Sequence, residues 1–187
     1  MDILNSAKDA LGSVQKAMTQ AKANVLATAE VGDLDAVELL TAQHREVDML
    51  FMEFEQAGER AFRTKEQIYA KIAEKLRLHT DLEEKHFYPA AERIDKDLIG
   101  EANEEHDVVK DMLAKLDGLS AEDSTYDSKV TVLRELVHHH VGEEESELFP
   151  KCEKKMSKET LQTIGEAMHA EAMRKDSDMK EAKAQRH

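Results

Sequence analysis

Two stretches of this chain repeat one plan, and the repeat constrains the fold more than any other feature. His44 is followed by Val47, Phe51 and Phe54, and His106 by Val109, Leu113 and Leu116, at the same offsets of three, seven and ten. Downstream, "HTDLEEKHFYP" supplies His79, Glu83 and Pro89, and "HVGEEESELFP" supplies His140, Glu144 and Pro150 in the same relation. His44 and His106 lie 62 residues apart, His79 and His140 lie 61 apart. Apolar residues in this rhythm line one face of a helix, so each half reads as a helical hairpin and the chain carries that hairpin twice.

The rest of the chain agrees. Seven glycines and two prolines are few for 187 residues, 35% of the residues are charged, and aromatic residues are only 4%. Such a composition favours helix throughout. Four long helices are predicted, over about 35–59, 64–88, 97–117 and 126–149. Asp35 and Thr64 are read as caps of the first two, Pro89 and Pro150 as breaks, and Gly118 as a stop. Long amphipathic helices with short loops predict an all-α, up-down-up-down four-helix bundle with extra N-terminal and C-terminal helices. The domain reading is an N-terminal amphipathic extension over 1–33, the bundle over 34–156, and a C-terminal helix with a polar tail over 157–187. In the extension, Leu4, Leu11, Met18 and Val25 are seven apart, with Ala7, Val14 and Ala21 between them. That narrow seam suits packing on the bundle or a homodimer through residues 1–30.

The polar residues of the repeat interrupt the inward stripes. His44 sits between Leu40 and Val47, His79 and Glu83 between Leu76 and Phe87, His106 between Ala102 and Val109, and His140 and Glu144 between Val137 and Leu148. An uncompensated buried carboxylate costs several kcal/mol, on the order of the net stability of a domain. A pair of divalent or trivalent cations would supply the counter-charge. His139 and Glu143 share the same i, i+4 spacing, but only His140 and Glu144 keep the distance to proline seen in the first hairpin. One residue of shift turns a side chain by about 100°, so the two registers cannot share a face. His138, His139, Glu143 and Glu145 are therefore read as flanking or solvated groups. A turn near residue 61 brings His44 level with His79, and one near residue 123 brings His106 level with His140. All six side chains are thus expected at one height.

The stretches "LLTAQHREVDMLFMEFE", "HTDLEEKHFYP", "EEHDVVKDMLAKL" and "HVGEEESELFP" resemble the hemerythrin-like family, the HHE cation-binding domain, and the likeness runs over roughly residues 35–175. It implies a four-helix bundle holding two Fe ions, oxo- and carboxylate-bridged. Carried onto this sequence, it implies His44 and His79 on one iron, His106 and His140 on the other, and Glu83 and Glu144 bridging. It also implies that the centre binds O2, H2O2 or NO and reduces one of them in an oxidative or nitrosative stress response. One departure bears on this. Oxygen carriers of the family have a further histidine one turn beyond the third-helix histidine, where this chain has Lys110. A four-His, two-Glu set leaves more open coordination positions, which favours peroxide, NO or O2 chemistry, or iron handling, over plain oxygen carriage. The donor types alone suit iron, manganese or zinc.

Two other classes stay open at this level: an iron or oxygen sensor signalling through the heptad, and a structural protein whose metals only neutralise buried acids. The formal charge of −14 speaks against nucleic acid as a partner. No apolar run reaches membrane-spanning length, and the single cysteine, Cys152, excludes an internal disulfide. The start "MDILNSAKDALGSVQ", with no basic residues ahead of an apolar block, and the single cysteine lead to the expectation of a cytoplasmic protein. Asp48, one turn after His44, is a candidate for an extra ligand or a hydrogen-bond partner of one. His86 and His169 are read as surface or packing residues, and the runs "EANEE" and "EEESE" as solvated faces.

Overall fold

Asp35 opens the first helix with a reciprocal cap: its carboxylate accepts from the Glu38 amide at 3.0 Å, and the Glu38 carboxylate accepts from the Asp35 amide at 3.1 Å. The computed structural model describes residues 34–184, so the heptad of residues 1–30 lies outside the described residues. Helix α1 runs over Ala36–Gln56, α2 over Phe62–Leu82 and α3 over Tyr88–Ala91. Helix α4 follows over Lys96–Asp117, α5 over Tyr126–Glu143, α6 over Phe149–Lys155 and α7 over Lys158–Ala184. Among the described residues there is no strand, and no helix is long and apolar enough to cross a membrane.

Three boundaries differ from the sequence reading. Helix α1 stops at Gln56 rather than 59, because Ala57 turns extended (φ −67°, ψ 132°) just before Gly58. Thr64 is not a cap: a turn closed by the Ala61 amide on the Gly58 carbonyl starts α2 at Phe62, with Ala61 in the cap position. The prolines do not break the chain's helical path. Between α2 and α3, Glu83–Phe87 form a π-helical turn, and between α5 and α6, Glu144–Leu148 form another. Pro89 and Pro150 then fall in the first turn of α3 and α6. A proline ring inside an α-helix clashes with the carbonyl four residues back, and it has no N–H to donate. The wider π turn relieves both problems, and the following residues resume as α-helix.

Helices α1 and α2 pair through Glu46–Lys75 (2.8 Å) and Gln43–His79 (2.9 Å), with Lys65 over the Phe54 ring at their far end. Tyr69 donates to the Leu113 carbonyl (3.0 Å) and Arg77 pairs with Asp117 (2.5 Å), tying α2 to α4. Arg134 pairs with Glu55 and His138 with Asp48 (2.9 Å), tying α5 to α1. Two apolar clusters result. One gathers Val47, Phe51, Leu76, Val109, Leu113 and Val137 with their neighbours; the other gathers Leu40, Leu82, Phe87, Ala102, Leu148 and Phe149 with theirs. The long α7 lies over α1 and α2, burying Leu161 and Met168 in the second cluster. Its Gly165 passes so close to the start of α1 that a Cβ there would sit 2.5 Å from the Leu34 carbonyl oxygen.

Candidate metal centre

Between the two apolar clusters lies a thin polar layer, and each element delivers its part by helix geometry. His44 comes from α1 and His106 from α4, each on the inward stripe; His79 and His140 come from the last turns of α2 and α5. Glu83 and Glu144 are the first residues of the two π turns, one helical turn beyond those histidines. All six are buried, with Glu83 wholly inaccessible. The structure brings together every residue that the sequence singled out for this layer.

The imidazoles meet in pairs through their Nε2 atoms. His44 Nε2 is 3.2 Å from His79 Nε2, and His106 Nε2 is 3.1 Å from His140 Nε2. Each carboxylate spans the pairs. Glu83 Oε2 is 3.1 Å from His79 and 3.2 Å from His106, and Glu144 Oε2 is 3.3 Å from His44 and 3.5 Å from His140. Groups able to hold a cation accordingly form at His44, His79, Glu83 and Glu144, and at Glu83, His106 and His140.

The outer faces of the rings show which nitrogen carries the proton. His44 Nδ1 faces Glu145 at 3.0 Å, His79 Nδ1 faces the Gln43 amide oxygen at 2.9 Å, His106 Nδ1 faces Glu84 at 2.9 Å, and His140 Nδ1 faces Glu105 at 2.8 Å. An ionised carboxylate or an amide oxygen can only accept, so each Nδ1 donates. A neutral ring then points the Nε2 lone pair inward. Four lone pairs and two carboxylates facing one another repel, and Glu83 Oε1 and Glu144 Oε2 have no hydrogen-bond partner. This donor set, oriented by outer acceptors, fits metal cations.

These outer partners were not foreseen individually. Glu105 and Glu145 belong to runs read as solvated faces, yet each holds a buried ring. The signal lay in the repeat: Gln43 and Glu105 immediately precede His44 and His106, while Glu84 and Glu145 immediately follow Glu83 and Glu144. Lys110, in the place of the oxygen carriers' extra histidine, pairs with Glu84 at 2.7 Å and thereby backs His106. Tyr88 was also missed. Its ring stacks on His106, and its hydroxyl donates to Glu144 Oε1 at 3.0 Å and lies 3.2 Å from His106 Nε2. The matching residue of the second hairpin is Phe149, stacked on His44. Asp48 is not in the layer; it binds His138 at the surface. His86 and His169 are partly exposed and take no part in either group. Cys152 is wholly buried in the second apolar cluster.

Charge within the layer is distributed unevenly. Burial, and then the charge of Glu144, push the Glu83 carboxyl well above its ordinary range. Burial also pushes Glu144 upward, but the charge of the adjacent imidazoles, His44 at 3.3 Å first, outweighs it and holds Glu144 near 2. Burial depresses His44, yet the nearby Glu144 charge and the bond to Glu145 leave it above its usual value. Burial and then a neighbouring imidazole lower His79 and His106. Tyr88 is raised far beyond the ordinary phenol range, chiefly by burial and then by both carboxylates, so its hydroxyl keeps its proton.

No curated protein matches the chain. A solved structure of a hemerythrin HHE cation-binding domain-containing protein from Mycobacterium kansasii superimposes with a TM-score of 0.67 at 24% identity, covering 75% of this chain and 86% of that one; it shares the fold. The description "Hemerythrin HHE cation binding domain" matches residues 35–152, which hold all six buried donors. Most of this chain is thus accounted for by one family, and it belongs to the hemerythrin HHE cation-binding domains.

Proposed function

We infer that the chain is a di-iron protein that binds O2, H2O2 or NO, and reduces one of them in an oxidative or nitrosative stress response. His44 and His79 would hold one iron and His106 and His140 the other, with Glu83 and Glu144 shared between the two pairs. The helices carrying these residues follow one another up-down-up-down. The observation that supports this reading best is the set of four outward Nδ1 partners, because it aims four lone pairs at two carboxylates. Iron, when bound, supplies electrons and open coordination positions for a small molecule.

The chain's own residues supply the rest. A small chamber lined by Val47, Leu76, Val109 and Val137 abuts the four imidazoles and favours small, weakly polar guests over bulk water. The Tyr88 hydroxyl, its oxygen 3.0 Å from Glu144 Oε1, donates its proton there and keeps that carboxylate oxygen oriented. Lys110 and Arg45 neutralise the outer carboxylates Glu84 and Glu145, so these can accept from the rings without adding net charge.

Protein produced with iron should contain about two irons per chain, the number that two His pairs sharing two carboxylates can accommodate. His79→Ala and Glu144→Ala should each lose iron; full retention in both would end the reading. Anaerobic reduction, followed by separate exposure to O2, H2O2 and NO under optical spectroscopy, identifies the ligand. A second reading, a sensor without turnover, is favoured by the heptad of residues 1–30. Removing that segment should then change sedimentation mass while iron content stays fixed.

A further inference from the structure

The histidine register that the buried layer does not use has its own placement. His139 Nε2 lies 3.2 Å from Glu105 Oε1 and 3.6 Å from Glu143 Oε1, and donors from all three lie within 4.8 Å of one another. The His139 side chain is 65% exposed, Glu143 35% and Glu105 20%, so the trio sits at the surface and grades inward. Glu105 links it to the interior, because its other oxygen holds His140 Nδ1 at 2.8 Å. Glu105 and Glu143 also line a narrow cleft that they share with Leu98, Leu148, His140 and Glu144. There Glu144 is 2% exposed, and its Oε2 has no hydrogen-bond partner.

The first hairpin serves as an internal comparison. The positions matching Glu105, His139 and Glu143 are Gln43, Leu78 and Leu82. Leu82 is wholly buried and Leu78 packs on the same cluster, which α7 covers from outside. One flank of the polar layer therefore carries two leucines and a neutral amide, and the other an imidazole and two carboxylates beside a cleft.

We propose that Glu105, His139 and Glu143 form an outer landing site for a divalent transition cation, ferrous iron or its analogues, which passes along the cleft to Glu144 and the buried centre. Two carboxylates and a neutral imidazole balance the cation's charge and give it mixed oxygen and nitrogen donors. An exposed site leaves the remaining positions to water, so the cation is held loosely and can move on. The surrounding negative charge raises its local concentration. This proposal rests on the reading of the six buried residues as the metal centre.

The test is cobalt(II) uptake by the metal-free full-length chain at low salt, followed anaerobically by the visible bands of the bound ion. In His139→Ala/Glu143→Gln, one substitution at an exposed side chain and one at a half-buried one, neither bound to the six buried residues, filling of the centre should slow roughly tenfold, the order by which local charge raises cation encounter. The final cobalt content and spectrum should equal those of the wild type. Filling at the wild-type rate would overturn the landing site alone. A wild type that takes up no cobalt at all, or a His79→Ala chain that keeps the full complement, would overturn the centre and this proposal with it.

Discussion

Gln43 is the odd member of the four outer partners. Glu145, Glu84 and Glu105 are carboxylates, whereas Gln43 offers His79 a neutral amide oxygen. A carboxylate makes the ring it holds a stronger donor; an amide does so less. Gln43→Glu should therefore tighten metal at the His44–His79 pair, and Gln43→Ala should loosen it, by about 10-fold or more in affinity. Competition with a chromophoric chelator reads both. Proton uptake and release give a second prediction. Glu83 has its carboxyl raised, so the metal-free folded chain keeps a proton there at pH values where a free carboxyl has lost it. Holding a metal requires the carboxylate, so binding expels that proton. Apparent affinity should climb as pH rises above about 4.5, the ordinary carboxyl range, and flatten once the raised value is passed. His44, also raised, pushes in the same direction. Calorimetry in buffers of different ionisation enthalpy should show proton release on binding that declines as pH increases; release that is absent throughout would contradict the assignment.

At the scale of elements, the docking of α7 depends on one missing side chain. A Cβ on Gly165 would meet the Leu34 oxygen, the Asp35 carbon and the Ala36 nitrogen, all main-chain atoms that cannot step aside as a side-chain tip can. Gly165→Ala should cost about 1–3 kcal/mol, the usual range for overpacking, read as a lower urea midpoint. Gly142 and Gly58 face open space, so alanine there is a suitable control. Much of the element plan was legible beforehand. The Asp35 cap, the Gly118 stop and the levels of His44 with His79 follow from local chemistry and spacing, and the structure has all of them. The π turns were not legible, because a proline after a helical run signals a stop, and only packing decides whether the chain bends or widens. The same limit hid Glu84, Glu105 and Glu145. A glutamate in an acidic run looks solvated until a buried ring is found beside it. Seating α7 against Leu34 and Ala36 required the third dimension for the same reason.

Across the whole molecule, two apolar clusters grip a polar seam that contributes little hydrophobic stabilisation of its own. Cations that bind the folded chain and not the unfolded one then add stability by mass action. Free metal at a thousand times its dissociation constant is worth about 4 kcal/mol per site. Stripping the chain with a chelator should lower its thermal midpoint, and restoring metal should return it; a midpoint indifferent to metal would count against a buried centre. Outer ion pairs such as Arg77–Asp117 lie at the exposed surface and should matter far less.

The two widened turns have one more implication. Each adds a residue to its helical turn, and a single residue swings whatever comes after it by about 100°. That rotation is what lets Tyr88 and Phe149 lie flat on His106 and His44. The spacing from each glutamate to its proline is therefore as much a part of the polar layer as the donors themselves. A relative could keep all six donors, lack one residue in that interval, and turn its aromatic panels away from the rings.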